Sequence, residues 1–346
     1  MRVVFVYPNP RAELIAHVVS GDAPDTNLLG QNHLADHGIE AVVRDSFLRR
    51  RPSSGGVGDR LRWHARELTL PFEVGRADLL VTPLHTLLPL AARLRRRPRV
   101  VLLSYGVVST WRRAGSARRR LLRAALRATS AVVAVSEAGR ERLLADAELP
   151  ADHVKVALLG VDTDWWRPAS SRPDGYVLTV GRDLARDYTT FARALEGLDV
   201  HGVILCKREN LCGVTLPSNV EVRLDVPPTE VRALYAGSSC VVVPTVADVD
   251  PRGTENSGTI SLLEAMASGR PTVATERVYL RDYLDPAATI VTPPGNAAAL
   301  RDAILRVTGD GQLARSMGEA GRTRAVSHHS TRTFAASLAG VLREAA

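Results

Sequence analysis

Residues 244–275 read PTVADVDPRGTENSGTISLLEAMASGRPTVAT, and this stretch determines how the rest of the chain is interpreted. The apolar run 239–244 ends in proline where the stretch begins, which predicts the end of a β-strand. After a polar loop, apolar residues recur at helical spacing until Gly269, Arg270 and Pro271 predict the end of a helix. Residues 272–275 begin the next strand. The stretch therefore predicts a strand, a glycine-containing loop, a helix and a second strand.

The predicted start of this helix has the features of an anion site. Ser257, Gly258 and Thr259 lie there, and small residues at a helix start leave backbone N–H groups and the positive end of the helix dipole accessible. Glu264 follows within the helix, where a carboxylate among apolar residues is explained if it accepts hydrogen bonds from hydroxyl groups. A phosphate beside a ribose would supply both partners, so the stretch indicates a nucleoside diphosphate.

Strands and helices alternate along the whole sequence, which is typical of parallel sheets covered by helices on both faces. The small, polar segment 169–175 separates two such series. We therefore predict the α/β fold class, with two Rossmann-like αβα domains at 1–168 and 169–325 that face each other across a cleft. Ligands are expected at the carboxyl ends of the strands, along that cleft.

Three segments of the predicted first domain have distinctive patterns. Residues 28–37 have a helical pattern that ends at Gly38, and residues 111–129 predict one basic amphipathic helix. Such a helix either lies on an anionic membrane or covers a core with its charged face in solvent. The basic, glycine-rich residues 49–62 predict a loop, which is either mobile beside an acceptor or an ordinary surface loop.

The positive charge is concentrated in the first half of the chain. The formal net charge is +8, and residues 1–170 contain 26 Lys and Arg against 17 Asp and Glu, whereas residues 171–346 contain 19 against 20. A basic N-terminal domain suits peripheral contact with an anionic membrane or with an acidic acceptor. Nucleic acid is not expected as a partner, because few aromatic residues interleave with the arginines and no DNA-binding motif is present.

Composition also bears on the cellular compartment. No apolar run is long enough to span a membrane, and Met1 leads directly into an apolar strand pattern that leaves no room for a signal peptide. The three cysteines, Cys206, Cys212 and Cys240, lack the spacing of metal ligands. These features predict a cytoplasmic protein without a metal site.

The opening stretch resembles the C-terminal signature of retaining, nucleotide-sugar-dependent glycosyltransferases of the group 1 type, which have the GT-B fold. That signature has two glutamates separated by seven residues in a pattern close to EGFGLVLLEAMACGTPVV, and NSGTISLLEAMASGRPTVA aligns with it without gaps. The similarity extends to VSEAGRERL at 135–143, GVDTDWWRP at 160–168 and VGR at 180–182. It implies that the terminal segment, 326–346, crosses back onto the first domain.

The resemblance implies that two cations bind the donor diphosphate. Arg182 corresponds to the family's diphosphate-binding arginine, a role that suits the fork geometry of a guanidinium. Asp187 replaces the lysine that the family carries five residues later, so that Arg186 or Lys207 would supply the second charge. We assign Arg182 and Lys207 as the candidate catalytic residues.

The resemblance also implies roles for the residues around the donor. Glu264 corresponds to the ribose-binding glutamate, and Asn256 stands where the first glutamate contacts the sugar. An asparagine offers hydrogen bonds there without a charge. Ser257, Gly258 and Thr259 are expected to donate backbone N–H groups to phosphate. The other predicted site residues are Arg223 and Leu224 for the nucleotide base, and His85, Tyr105, Asn27 and Gly30 for the acceptor or the cleft.

The function implied by the resemblance is glycosyl transfer of the hexosyltransferase type. A sugar would move from a nucleoside diphosphate sugar to an acceptor hydroxyl with retention of configuration. No cofactor or metal is expected, since fixed positive groups would stabilise the leaving diphosphate. The sequence does not distinguish between a small metabolite, a lipid headgroup and a glycan as the acceptor. The departures at Asn256 and Asp187 keep a non-catalytic nucleotide-binding protein or subunit as one alternative, and a nucleotide-sugar epimerase as a weaker one.

Overall fold

The computed structural model describes residues 1–7, 9–45, 57–74, 76–83, 87–94, 98–169 and 175–346, which form two compact units. The first unit comprises Met1–Ser20, Asn27–Leu158 and Phe334–Ala346, and the second comprises Gly21–Thr26 and Leu159–Thr333. The chain passes from the first unit to the second after Leu158, and returns to the first after Thr333. The domain boundaries after 168 and 325 stay a prediction from the sequence.

The first unit contains a six-stranded parallel sheet in the order β2-β1-β3-β4-β5-β6. Its strands are β1 (Arg2–Tyr7), β2 (Glu40–Asp45), β3 (Leu79–Pro83), β4 (Arg99–Ser104), β5 (Ala131–Ala134) and β6 (Val154–Val156). The helices that begin before Leu158 are α1 (Ala12–Val19), α2 (Val57–Glu73), α3 (Leu88–Leu94), α4 (Val107–Arg113), α5 (Ser116–Arg127) and α6 (Glu137–Ala147).

The second unit also contains a six-stranded parallel sheet, in the order β12-β11-β10-β7-β8-β9. Its strands are β7 (Tyr176–Val180), β8 (His201–Cys206), β9 (Val220–Leu224), β10 (Ser238–Val243), β11 (Thr272–Thr275) and β12 (Thr289–Thr292). Its helices are α7 (Tyr188–Leu195), α8 (Pro228–Gly237), α9 (Thr259–Ala267), α10 (Ala297–Gly309) and α11 (Gly311–His328), and α12 (Thr331–Ala345) ends the chain.

Both sheets are built from nearly continuous apolar runs, because their central strands are covered on both faces. All five residues of β3 are buried, and so is every residue of β1 after Arg2. In the second unit, Val177 and Ile204 from the sheet share a buried cluster with Phe191 of α7 and Ile304 of α10. Two parallel sheets with flanking helices confirm the predicted α/β class.

The predicted helix at 28–37 is replaced by two short 3₁₀ helices, Asp25–Leu28 and Gln31–His37. Leu29 and Gly30 separate them, with φ values of 51° and 71° in the left-handed region. A Cβ on Gly30 would lie 3.1 Å from the side chains of Phe334 and Ala335. Close packing against α12 therefore breaks the helical pattern at this glycine.

The prediction of one helix over 111–129 was also wrong, since α4 ends at Arg113 and α5 begins at Ser116. Ala114 and Gly115 are extended, with ψ of 138° and 170°. Arg119 donates from Nε to the Trp111 carbonyl at 3.1 Å and from Nη2 to the Arg112 carbonyl at 3.2 Å. The last carbonyls of α4 are thus satisfied by a side chain of α5 rather than by continuation of the helix.

The predicted loop at 49–62 is only partly within the described residues, since residues 46–56 lie outside them. Residues 57–62 belong to α2, so the prediction of a loop was wrong there. The arginines and the glycine in this stretch masked a helix that continues through apolar residues to Glu73.

The end of the chain is attached to the first unit by polar contacts. Lys155 Nζ lies 2.7 Å from Glu344 Oε2, and Arg343 donates to the His37 carbonyl at 2.8 Å. Arg99 donates to the Ala345 carbonyl at 3.1 Å. The contacts of residues 334–346 therefore belong to the first unit, although the chain reaches them from the second.

Candidate functional site

The loop between β10 and α9 is held by an ion pair between buried Arg277 and partly buried Asp248. Arg277 is only 4% exposed and donates from Nε to Asp248 Oδ1 at 2.8 Å and from Nη1 to the Ser257 carbonyl at 3.3 Å. Asp248 also accepts the Val278 N–H at 2.8 Å. One guanidinium thus contacts the loop both near its start and at its end. These contacts of Arg277 therefore fix the position of the segment that leads into α9.

A second carboxylate ties the same loop to the end of β7. Asp183 accepts hydrogen bonds from Thr254 Oγ1 at 3.0 Å and from the Ala185 N–H at 2.8 Å. Gly253 lies against it with a φ of 67°, and a Cβ there would overlap the Asp183 carboxylate and the Ala185 backbone. Only glycine accommodates both the left-handed backbone and this close approach.

The way in which α9 begins favours a negative group at its N-terminus. Gly258, the residue before the helix, has a φ of 96°, and no side chain caps the helix or places an acid in its first turn. A Cβ on Gly258 would lie 2.8 Å from Val243 Cγ1. Glycine therefore lets the helix start against the end of β10. The dipole and the free N–H groups of the first turn favour a negative group at this position.

The predicted phosphate donors are arranged differently from the expectation. The backbone N–H of Ser257 donates to the Thr254 carbonyl at 3.1 Å, and that of Thr259 donates to the Asn256 carbonyl at 3.2 Å. Their hydroxyls and the Asn256 Nδ2 are buried and make no hydrogen bond within the described part of the chain. A buried polar atom without a partner costs free energy that a further acceptor or donor would offset. The Asn256 amide and the Ser257 and Thr259 hydroxyls could therefore hydrogen-bond to a ligand.

Glu264 is the only residue of α9 between Ser261 and Ala267 that is not fully buried. Tyr235, which has no exposed surface, donates its hydroxyl to Glu264 Oε2 at 2.9 Å. Burial raises the pKa of Glu264 to about 7, and the Tyr235 hydrogen bond and the Arg186 charge act in the opposite direction. The second oxygen, Oε1, makes no hydrogen bond to the described residues. The carboxylate is held by one oxygen and leaves the other to accept a hydroxyl.

Arg186 is a buried cation beside this carboxylate, with an exposure of 7%. Its Nη2 donates to Ser261 Oγ on α9, and a Cβ on Gly181 would overlap its guanidinium. Its Nε and Nη1 are buried and make no hydrogen bond with the described residues. Burying a cation with two unused nitrogen donors, Nε and Nη1, is costly unless an anion shares the site.

Asp187 occupies the position at which the resemblance expects a lysine, and the structure shows what it does there. Its carboxylate accepts the Thr190 N–H at 3.0 Å and the Thr190 hydroxyl at 2.6 Å, which makes it the N-cap of α7. The backbone at Arg186 bridges to Thr245 beyond the end of β10. The Asp187 carboxylate is therefore bound to the start of α7, whereas the Arg186 side chain contacts Ser261 of α9.

The two predicted catalytic cations lie at the carboxyl edge of the same sheet. Arg182 follows β7 by two residues and Lys207 follows β8 directly, and these strands are neighbours in register, with Val180 opposite Leu205. Both side chains are exposed and neither forms an ion pair with a described residue. Burial raises the pKa of the Cys206 thiol to about 11, while the Arg182 charge lowers it. The Arg182 guanidinium is thus close enough to the last residue of β8 to affect the pKa of its thiol.

The predicted base-pocket residues lie at the end of β9, which is an edge strand. Arg223 is exposed, and its Nε lies 2.5 Å from Glu221 Oε1 while its Nη1 lies 3.6 Å from Glu230 Oε1. Leu224 is half-buried and pairs with Cys206 of β8. The guanidinium of Arg223 is already shared between two carboxylates, and the base-binding role stays a prediction.

The predicted acceptor residues that the structure describes belong to the first unit. Tyr105 is half-buried and directly follows β4, before Gly106 with a φ of 85°. Asn27 is exposed within a 3₁₀ helix, and Gly30 is packed against Phe334 of α12. His85 lies outside the described residues. Their roles toward an acceptor stay predictions.

Tyr235, Ser261, Asp183 and Arg277 were not predicted from the sequence. Tyr235 is 29 residues from Glu264 along the chain, and its position in an apolar helical pattern resembles that of an ordinary core residue. Asp183 carried one signal, because it directly follows the arginine of the VGR segment. Their roles depend on contacts between elements that no local pattern reveals.

Two family models match the chain, and together they cover most of it. The model for Glycosyl transferases group 1 matches residues 213–324, within the second unit. The model for Glycosyltransferase Family 4 matches residues 3–165, which include most of the first unit. Each model matches less than half of the chain, so the matches show similarity to the two glycosyltransferase families over these residues. These matches support glycosyl transfer, as the signature around Glu264 implied. No curated protein matches this sequence.

Solved structures with the same fold are glycosyltransferases and related proteins. Sucrose-phosphate synthase from Thermosynechococcus elongatus has a TM-score of 0.74 at 16% identity, over 99% of both chains. The HepE protein of Anabaena in complex with UDP has a TM-score of 0.68 at 16% identity, over 99% of this chain and 100% of that one. A glycosyltransferase from Rickettsia africae has a TM-score of 0.68 at 14% identity, over 99% and 98% of the two chains. At these identities the similarity shows the fold, which is GT-B.

Membrane spans and metal sites were also sought among the residues that the structure describes. None of their helices combines the length and the apolar character needed to cross a bilayer. In the same residues, no three His, Cys, Asp or Glu side chains are grouped as metal ligands would be.

Proposed function

We propose that this chain is a retaining hexosyltransferase that uses a nucleoside diphosphate sugar as donor. The observation that carries the proposal is the pairing, on one helix, of an N-terminus that no side chain caps with a carboxylate that is oriented by Tyr235 and lies beside buried Arg186. A diphosphate needs the first feature and a ribose needs the second. The group 1 domain over the same residues supports this assignment.

In this proposal the donor is bound by charge at one end and by hydroxyl contacts at the other. Arg182 and Arg186 bind the diphosphate, together with the first turn of α9. Arg186 is a stronger candidate than Lys207 for the second cation, because its guanidinium is buried beside α9 with two unused donors, whereas Lys207 is exposed. Glu264 accepts ribose hydroxyls through Oε1, and Asn256 contacts the sugar.

The proposed chemistry is attack on the same face from which the diphosphate leaves. The acceptor oxygen forms a bond to the anomeric carbon while the bond from that carbon to the diphosphate oxygen breaks. The acceptor proton passes to the leaving diphosphate, which carries the electron pair away. Arg182 and Arg186 stabilise the negative charge that develops on that group, so their effect is largest in the transition state. No metal or cofactor is part of this proposal.

Uridine diphosphate glucose is the first donor to test, since the HepE protein of Anabaena has been solved with UDP-glucose. The acceptor panel includes a small polyol, a phospholipid headgroup and an oligosaccharide. We propose a cytoplasmic location with peripheral membrane contact through the basic first unit, which suits a lipid-linked acceptor.

The test is a thermal shift series with UDP, GDP, ADP and dTDP, followed by each sugar conjugate. A ligand that binds only the folded state raises the melting temperature, and the rise grows with the logarithm of its concentration above Kd. We expect one nucleotide to stabilise the protein and its sugar conjugate to do so more strongly. The anomeric configuration of the product, read by proton NMR, then distinguishes retention from inversion.

Three outcomes would replace this proposal. Stabilisation by a nucleotide without transfer or donor hydrolysis would favour the non-catalytic nucleotide-binding protein, for which the change to Asn256 is the supporting observation. Conversion of the donor sugar without an acceptor would favour an epimerase. Full turnover by Arg182→Ala would overturn the assignment of this site to sugar transfer.

A further inference from the structure

A second basic site lies in the first unit, and none of the residues that line it was predicted from the resemblance. A cavity of about 560 Å³ opens between the end of α4, the first turns of α5 and the end of α6. Its lining residues are Trp111, Ala114, Gly115, Ser116, Arg119, Arg120, Arg123, Ala145 and Asp146. Three arginines and one aspartate thus line a space of the size that small ligands occupy.

Positive charges outnumber negative ones in the lining of this cavity, which contains Arg119, Arg120, Arg123 and Asp146. The segment 111–127, WRRAGSARRRLLRAALR, contains seven arginines and no acidic residue. Asp146, the one acid in the lining, lies 4.0 Å from Arg142 of its own helix. Like charges crowded on one short segment repel each other, and a bound anion relieves that repulsion.

Two of the lining arginines are held in place by the protein. Arg119 donates to the Trp111 and Arg112 carbonyls, which joins α5 to the end of α4. The Arg123 guanidinium lies 5.5 Å from the centre of the Trp111 ring, and its Nη2 donates to Glu148 Oε1 at 3.0 Å. These contacts restrict both side chains before any ligand arrives, which lowers the entropy lost on binding.

The third arginine and the start of α5 have capacity left for a ligand. Arg120 is exposed and makes no hydrogen bond or ion pair with the residues that the structure describes. Gly115 and Ser116, which line the cavity, begin a 12-residue helix that has neither a side-chain cap nor an acid in its first turn. Free guanidinium donors and backbone N–H groups in one cavity suit the oxygens of a phosphate.

We propose that this α4–α5 cavity binds a phosphate-bearing anion, either a free phosphate compound or the headgroup of an acidic phospholipid. Arg120 supplies the direct charge contact, and Arg119 and Arg123 form the fixed walls. The site is independent of the proposed donor site, because no residue is shared between them. Binding here needs no transfer activity, so the two proposals fail separately.

The experiment follows the indole N–H resonance of Trp111, which is assigned with Trp111→Phe, while inorganic pyrophosphate is added to the full chain. We expect this resonance to shift in the wild type, with an affinity that Arg120→Ala lowers about tenfold. Arg118→Ala is the matched control, because Arg118 is an exposed arginine of the same helix that does not line the cavity. Circular dichroism and the melting temperature check that both variants fold as the wild type does.

Sedimentation of the protein with lipid vesicles distinguishes a lipid headgroup from a free phosphate compound. If the proteins sediment with vesicles of phosphatidylglycerol and phosphatidylcholine, and Arg120→Ala weakens this more than Arg118→Ala does, the occupant is a lipid headgroup. If the Trp111 shift occurs without such sedimentation, the occupant is a free phosphate compound. The proposal is overturned if Trp111 does not respond to pyrophosphate, or if both variants weaken binding equally, since the charge would then act as a diffuse surface.

Discussion

The start of α9 in the second unit and the start of α5 in the first unit both present positive charge after a glycine, but they do so in different ways. At α9 one arginine is buried, hydrogen-bonded to Ser261 and matched by the Glu264 carboxylate, which Tyr235 holds. At α5 the arginines are numerous and mostly exposed. Salt screens exposed charges strongly and buried charges weakly. The first arrangement suits selective binding and charge stabilisation in a reaction, and the second suits attraction of an anion.

The largest expected effect tests whether the buried arginine at α9 is the functional one. We expect Arg186→Ala to lower kcat/KM for the donor by about 100- to 1,000-fold, because a preorganised positive group in a dry site is lost. Arg193→Ala, in which an exposed arginine of α7 is removed, is the control and should retain activity. Near-normal kcat/KM in a folded Arg186→Ala variant would assign the second cation to Lys207 instead.

The next effect concerns the charge on Glu264. Its pKa of about 7 exceeds the ordinary value of 4.5, so the native state keeps a proton that the unfolded chain releases as the pH rises from 4.5 toward 7. The free energy of unfolding should therefore fall by about 3 kcal/mol across that range, because one pKa unit corresponds to about 1.4 kcal/mol. Donor affinity should increase over the same range as the carboxylate ionises. Denaturation curves and donor Kd values between pH 5 and pH 8 measure both quantities.

Glu264→Gln keeps the size of the side chain and removes the titration. We expect the affinity of this variant for the donor at pH 8 to be about 10- to 100-fold lower, with no increase between pH 6 and pH 8 apart from that caused by the donor phosphate itself. A pH dependence of the unfolding free energy identical to that of the wild type would show that another group titrates.

A smaller effect tests whether Tyr235 positions that carboxylate. Tyr235→Phe removes a hydrogen bond that lowers the pKa of Glu264, so the midpoint of the pH dependence of donor binding should move up by about one pH unit. Tyr176→Phe loses a comparable hydrogen bond to the Leu234 carbonyl without contact to Glu264 and serves as the control. Equal midpoints in the two variants would mean that Tyr235 is only structural.

The smallest effects concern the break between α4 and α5. The contacts predict that Arg119→Ala costs about 1 kcal/mol of unfolding free energy, because two hydrogen bonds to the last carbonyls of α4 are lost. Gly115→Ala should change it by less than about 0.5 kcal/mol, since the backbone is extended and no atom lies within 4 Å of the added Cβ. Chemical denaturation compares the two, and a larger cost for Gly115→Ala would contradict this account.

The starts of α9 and α5 also differ in how well the sequence predicts the limits of their helices. Helix α9 was predicted with its start, its end and its carboxylate, because Gly258, Gly269 and Pro271 mark its limits through local backbone preferences. The single helix predicted over 111–129 was wrong, although its apolar spacing is helical on both sides of Gly115. A short interruption leaves that spacing almost unchanged, so the break depends on where Arg119 finds its acceptors.

The sequence by itself determined the α/β class, the alternation of strands and helices, and the position of the helix that bears Glu264. These features follow from periodicity and from glycine and proline, which act over a few residues. Only the tertiary structure decided that Asp187 caps α7, that Arg186 reaches Ser261, and that Tyr235 orients Glu264 from 29 residues away. Those contacts join separate elements, and which side chains meet depends on the packing of the whole sheet rather than on any local pattern.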